Sequence, residues 1–257
     1  FLAVYLFSSY QLLIIDERVV MTNALLEVKN IYYSVESLSE HILKDMTFSL
    51  GTGEFLVLVG SNGSGKSSLI KCINRRNSIA SGDISLMGQS IDTYRVADYS
   101  HRVVTISQAS ADNLFQQLTL FENMQIINPS VTRKQFEAYL DQFGYDLVPF
   151  IDAPIYQLSG GEKQLCVLAI YLFLRPDILL LDEHTSAMDP KTGDLVMEIT
   201  HKMVVKYKMA CVMATHNIKH AANYGDRLVA IKDGEIYQDI QNHREKVSRH
   251  EILELCY

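Results

Sequence analysis

Eight residues, Gly60-Ser61-Asn62-Gly63-Ser64-Gly65-Lys66-Ser67, constrain this chain more than any other stretch. They follow an apolar run, Phe55 to Val59, and precede a helix-like stretch from Ser68 to Asn74. Strand, glycine loop, Lys, hydroxyl and helix, in that order, form the context of a phosphate-binding loop. Glycines let the backbone fold back so that several N–H groups converge on one anion. The helix N-terminus adds unpaired donors and a partial positive charge. Lys66 is then placed for the β- and γ-phosphates, and the Ser67 hydroxyl for Mg²⁺. A glycine-rich turn that binds nothing is the alternative, against which the flanking strand and helix both argue. The expectation is a nucleoside triphosphate held by residues 60–68, Ser68 included.

A second stretch, Leu158-Ser159-Gly160-Gly161-Glu162-Lys163-Gln164, precedes a long apolar helix candidate, Leu165 to Leu174. Ser159 reads as an N-cap, and the paired glycines leave the donors of that helix start open to a phosphate. Alone, Ser-Gly-Gly is usually a loop. Further on, Ile178-Leu179-Leu180-Leu181-Asp182 is an apolar strand that ends in a carboxylate, followed by Glu183. Apolar on both faces, it suits a buried position in a parallel sheet. A solvated acidic turn is the plain reading of a lone Asp-Glu pair. Taken together and in this order, the motifs resemble the ATP-binding subunits of ABC transporters, over nearly the whole stretch from Leu25 to Asp239.

The resemblance implies roles residue by residue. Asp182 would hold Mg²⁺ through water, and Glu183 would be the general base that activates the attacking water. Gln108, after the strand-like Val103–Ile106, resembles the glutamine that contacts Mg²⁺ and reports to a membrane partner. His216, ending the apolar strand 210–214 in Ala-Thr-His-Asn, resembles the switch histidine at the γ-phosphate. Ser186-Ala187-Met188-Asp189 matches the loop that connects two ATP sites, with Met for the usual Leu. Catalytic roles thus fall to Glu183, His216 and Lys66. Ser159, Gly160, Gly161 and Asp189 join the nucleotide contacts. Ser67, Gln108 and Asp182 form the metal set.

Three positions depart from the family pattern. Val35 stands where relatives stack an aromatic ring on adenine; Tyr32 or Tyr33 could supply it, or be strand residues only. His184 replaces the usual Pro after the base, with a solvent-facing or packing role expected. Leu165 sits where many relatives carry Arg.

The rest of the chain suits one α/β unit. Alternating patterns at Leu26–Val28 and Met46–Leu50 predict an antiparallel flank, with a turn at residues 51–54 before the loop strand. A short strand is expected at Ile84–Leu86. Between Ala109 and Tyr156 the pattern turns helical, with a helix at Thr132–Phe143. Asp233-Gly234 favours a type I′ hairpin. The expected fold is thus a RecA-like P-loop core with a mostly parallel sheet, an antiparallel β flank and an inserted helical subdomain. Its ATPase domain spans 22–240: core 22–108 and 165–240, helical subdomain 109–164, then a short charged tail at 241–257. Residues 1–21 read as an N-terminal extension of uncertain origin, with Met21 as the expected natural start. Phe1–Ile15 is apolar but shorter than a membrane span and lacks the basic start of a signal peptide.

Composition limits the function classes. A net charge of −7 without a basic tract argues against nucleic acid. The four cysteines are widely spaced and show no metal pattern, as in reduced cytosolic proteins. By resemblance, two copies would sandwich two ATP molecules between the loop of one and the Ser159–Gly161 segment of the other. Closing and opening would drive separate permease subunits on the inner face of the membrane, in an importer fed by a solute-binding protein. An exporter ATPase, or a non-transport assembly or repair ATPase, is the alternative. In relatives the segment after Gln108 forms a permease groove, and of Phe115, Leu118, Leu120 and Phe121 at least half are expected in the subdomain core.

Overall fold

The apolar runs at 55–59, 178–182 and 210–214 form adjacent parallel strands whose side chains alternate between two hydrophobic cores. Phe55, Val57 and Val59 enter one core while Leu56 and Leu58 enter the other. Leu179, Leu181, Cys211 and Met213 share the first core, and Ile178, Leu180, Ala210 and Val212 the second. This two-sided burial explains why these segments carry no polar residue before their last position.

The computed structural model describes residues 12–15, 18–21, 24–35 and 40–256. The strands are β1 (Leu12–Ile15), β2 (Arg18–Met21), β3 (Ala24–Tyr33), β4 (Leu43–Gly51), β5 (Phe55–Val59), β6 (Ser81–Leu86), β7 (Gln89–Ser90), β8 (Val103–Ser107), β9 (Ile178–Asp182), β10 (Ala210–Ala214), β11 (Arg227–Lys232) and β12 (Glu235–Gln241). The helices are α1 (Lys66–Ile73), α2 (Val96–Arg102), α3 (Leu120–Ile127), α4 (Arg133–Leu140), α5 (Gly160–Phe173), α6 (Pro190–Tyr207), α7 (Ile218–Asn223), α8 (His243–Lys246) and α9 (Arg249–Cys256). The main sheet runs β12-β11-β5-β10-β9-β8, parallel except for the β11–β12 hairpin. A second, antiparallel sheet runs β4-β3-β6-β7. The α/β fold with its antiparallel flank is therefore present, and within residues 1–21 the described backbone forms the β1–β2 hairpin.

The strands expected at 55–59, 178–182 and 210–214 keep their bounds, while other elements keep their type and shift at their ends. β3 and β4 extend well past the expected cores because they pair with each other along most of their length, through several register shifts. α4 begins after Thr132, whose side chain caps it, and stops at Leu140, three residues before the expected end. Phe143 is nevertheless buried. Asp233 and Gly234 both adopt positive φ, 51° and 84°, as a type I′ turn requires. α5 is buried all round from Gln164 to Ile170 and forms the floor on which the helices after β8 pack. The terminal helix α9 buries Ile252 and Cys256 in the core that lies beneath β5.

Arg227 joins the two sheets. Its buried guanidinium donates to Ser49 O on β4 at 2.7 Å and pairs with Asp239 on β12 at 2.5–2.6 Å. It also reaches Glu54 Oε1 at 3.3 Å. Removing one member of such a buried pair strands the other charges, at a cost of about 3 kcal/mol. Arg227→Ala should therefore lower the urea midpoint by a corresponding amount with an unchanged m-value. A loss under about 0.5 kcal/mol would show that the staple is dispensable.

Candidate nucleotide site

Parallel register puts one row of residues across the sheet: Ser107 opposite Asp182, Asp182 opposite Ala214, and Ala214 opposite Leu58. The segments that leave this row carry Gln108, Glu183, His216 and the 60–67 loop. Ligands of open α/β sheets bind beyond the carboxyl ends of the strands, which is where these four segments meet.

Two of the loop's glycines, Gly60 and Gly65, leave no room for a side chain. Gly60 has φ +146, and a Cβ there would lie 2.2 Å from Ile231 O. Gly65 has φ +111 and ends α1 without a side-chain cap, so the first-turn donors of α1 remain open. Lys66 Nζ donates to Gly60 O at 2.7 Å and Ser61 O at 2.9 Å. Burial lowers its pKa, while the charges of Glu183 and Asp182 oppose that shift. Ser64 Oγ is buried without a partner among the described residues, a polar atom that a phosphate oxygen would satisfy. Asn62 and Gly63 lie exposed at the loop tip, and Ser68 is half-buried in the first turn of α1. The loop thus fits a polyphosphate.

Ser67 Oγ donates to Asp182 Oδ1 at 2.8 Å. A hydroxyl and a carboxylate at one point suit a hard cation such as Mg²⁺. Among the described residues no three His, Cys, Asp or Glu side chains group as a metal site. The remaining ligands for a cation would therefore be phosphate and water, the usual Mg²⁺ arrangement. Gln108 opens a short 3-10 helix after β8, but its side chain lies outside the described residues.

Glu183 and His216 pair directly, His216 Nε2 lying 2.6 Å from Glu183 Oε1. Glu183 occupies the left-handed region at φ 51. Its N–H donates to Ala214 O, and its carbonyl accepts from both the N–H and the Oγ of Ser186. Two openings flank it. One, about 620 Å³, is lined by Ser67, Asp182, Glu183 and Thr105. The other, about 320 Å³, is lined by Glu183, His216, Asp189 and Gly193.

Ser159, Gly160 and Gly161 line neither opening. Ser159 caps α5 in a reciprocal box with Glu162. Gly160 faces open space, whereas Gly161 packs on Thr192, where a Cβ would meet Cγ2 at 2.6 Å. Asp189 caps α6 by accepting from Lys191 N and Thr192 N. The structure thus assembles Lys66, Ser67, Asp182, Glu183 and His216, and holds residues 159–161 apart from them.

Among the departures, His184 is 3% exposed, which corrects the solvent-facing expectation and leaves packing. Leu165 is buried in the core. Tyr33 packs on the second core, and the Tyr32 ring meets His41 edge-on at 5.3 Å. Leu120 is fully buried and Phe121 packs on the core, while Phe115 is 58% exposed. Gln164 escaped notice in the sequence. Its buried amide donates to His184 O at 3.2 Å and Ser107 O at 3.4 Å, tying α5 to two strand ends. Its only signal is a polar residue directly before an apolar run.

The sequence profile of the family described as ABC transporter matches residues 43–186. A tyrosine transport ATP-binding protein of Clostridioides difficile is 32% identical over 225 residues, covering 83% of this chain and 90% of that protein. A glutamine transport ATP-binding protein of Bacillus subtilis is 32% identical over 207 residues, 77% of this chain and 84% of that one. Among solved structures, cbiO1 of Clostridium perfringens, part of an ABC transporter complex, matches with TM-score 0.78 at 24% identity, over 90% of this chain and 94% of that one. An ATP-binding cassette solved as a dimer with ADP and phosphate matches with TM-score 0.70 at 24% identity, over 84% and 98%.

Two glycines separate space from backbone strain. Gly60→Ala would drive Cβ into a carbonyl that cannot move aside, whereas Gly63→Ala meets open space at φ +83. Gly63→Ala should cost about 1–3 kcal/mol of local strain. In a fluorescent-nucleotide titration Gly60→Ala should bind far more weakly than Gly63→Ala. Equal affinities would refute this account of the loop.

Proposed function

The chain belongs to the ABC transporter family as an ATP-binding ATPase subunit, and on that premise we propose that it powers the import of a small solute through separate permease subunits. The observation that carries the reading is the convergence of Lys66, Ser67, Asp182, Glu183 and His216 beyond one sheet edge. In the proposed reaction Glu183 accepts the proton of the attacking water, and His216 holds its carboxylate in place. Lys66 and the loop N–H groups stabilise the charge that develops on the transferred phosphoryl oxygens. Mg²⁺, when bound, neutralises the β- and γ-phosphate oxygens, and Ser67, Asp182 and Gln108 are the residues that would hold it. Tyr32, beside His41, is the proposed ring for adenine.

Residues 159–161 carry helix-start donors yet line neither opening beside Glu183. A second copy would bring its phosphates to them in a two-ATP dimer, a reading supported by the neighbour solved as a dimer. No helix among the described residues is long and apolar enough to cross a membrane, which supports permeases on other chains and a peripheral place on the inner face. Relatives named for tyrosine and glutamine transport support an amino-acid-like solute; its delivery by a solute-binding protein is part of the same proposal. Exposed Phe115 is the proposed permease contact.

Glu183→Gln keeps the shape of the base without its basicity. Its turnover should fall about 10²–10⁴-fold while ATP binding persists; near-normal hydrolysis would remove Glu183 from the role. A Lys66→Ala subunit mixed with a Gly161→Asp subunit should regain activity through one intact composite site. Activity that never complements and does not depend on protein concentration would argue for a self-contained monomer. Phe115→Asp should keep basal hydrolysis and lose permease in a pull-down, and unchanged association would exclude this residue from docking.

A further inference from the structure

Two buried histidines and a half-exposed carboxylate each lie a short way along the chain from a residue of the site. His184 follows Glu183, His220 lies in α7 four residues after His216, and Asp194 lies in the helix capped by Asp189. His184 is 3% exposed and His220 2%. His184 Nε2 and His220 Nδ1 are both buried without a partner among the described residues. His220 Nε2 is 3.0 Å from Asp194 Oδ1, and Lys219 holds the other carboxylate oxygen. Burial, with nearby His220 adding to it, disfavours charge on His184.

The hydrogen-bond inventory makes the two lone nitrogens complementary. With its proton on Nε2 toward Asp194, the His220 ring presents Nδ1 as an acceptor, and a His184 ring protonated on Nε2 presents a donor. Two buried, unsatisfied and complementary groups are costly as they stand and stabilising once bridged.

We propose that His184 and His220 are bridged through these nitrogens by one water, into a relay with Asp194 that fixes the turn carrying Glu183 against α6 and α7. His184 is on this account a positioning residue for the base. The family pattern's Pro could not make this contact, because it has no side-chain donor. The inference rests on Glu183 being the base, which Glu183→Gln tests separately.

The experiment is a double-mutant cycle on the intact protein. His184→Phe and His220→Phe keep ring volume and remove the hydrogen bonds. Each should lower kcat about tenfold or more, since small misplacements of a reacting group are expensive, with KM and nucleotide affinity unchanged. The double variant should lose no more than the worse single one, because both break the same link. His184→Gln, which returns a donor near Nε2, should recover most of the rate. Multiplicative losses, unchanged kcat, or a KM effect equal to the kcat effect would overturn the proposal. Should either Phe variant fail to fold, Asp194→Asn reads the same link from a half-exposed position; full kcat in that variant also overturns it.

Discussion

The parallel register of β5, β10, β9 and β8 is the constraint on which the rest depends. It sets Leu58, Ala214, Asp182 and Ser107 in one row, so the segments that follow leave the sheet at a common edge. Nothing in the loop alone would bring Ser67 to Asp182, 115 residues later in the chain, at 2.8 Å. The two cores hold the register, because a slip of one residue would turn Leu179 and Leu181 to the opposite face. Hydrophobic burial therefore sets the alignment of the site as well as the stability of the fold.

Much of this was legible because local chemistry and tertiary role coincide. Ser159 and Glu162 cap α5 as their spacing indicates, and Asp233-Gly234 turns as a type I′ pair should. The apolar strands announced their two-sided burial, and a carboxylate or His directly after such a strand had little choice of place. Where ends moved, tertiary pairing prevailed over local pattern: β3 and β4 lengthen because each supplies the other's backbone partners.

What the sequence hid were contacts whose partners lie far along the chain. Gln164 reads as a surface amide at a helix start until α5 is seen to be enclosed on all sides. His184 reads as a substitution at a turn until its ring is found to be buried. The charged tail gave no sign that Ile252 and Cys256 would insert below β5 with Val247 and Leu255 partly buried beside them, since these residues do not follow a long apolar stripe.

Lys66 has a consequence for discrimination. Its ammonium donates to two carbonyls of its own loop and keeps a third N–H, so the charge is held in place before any anion arrives. A chain of phosphates can engage the helix donors, the Ser64 hydroxyl and the ammonium at once. The loop therefore favours several linked acceptors over one small anion by the number of contacts each can make, without any steric gate.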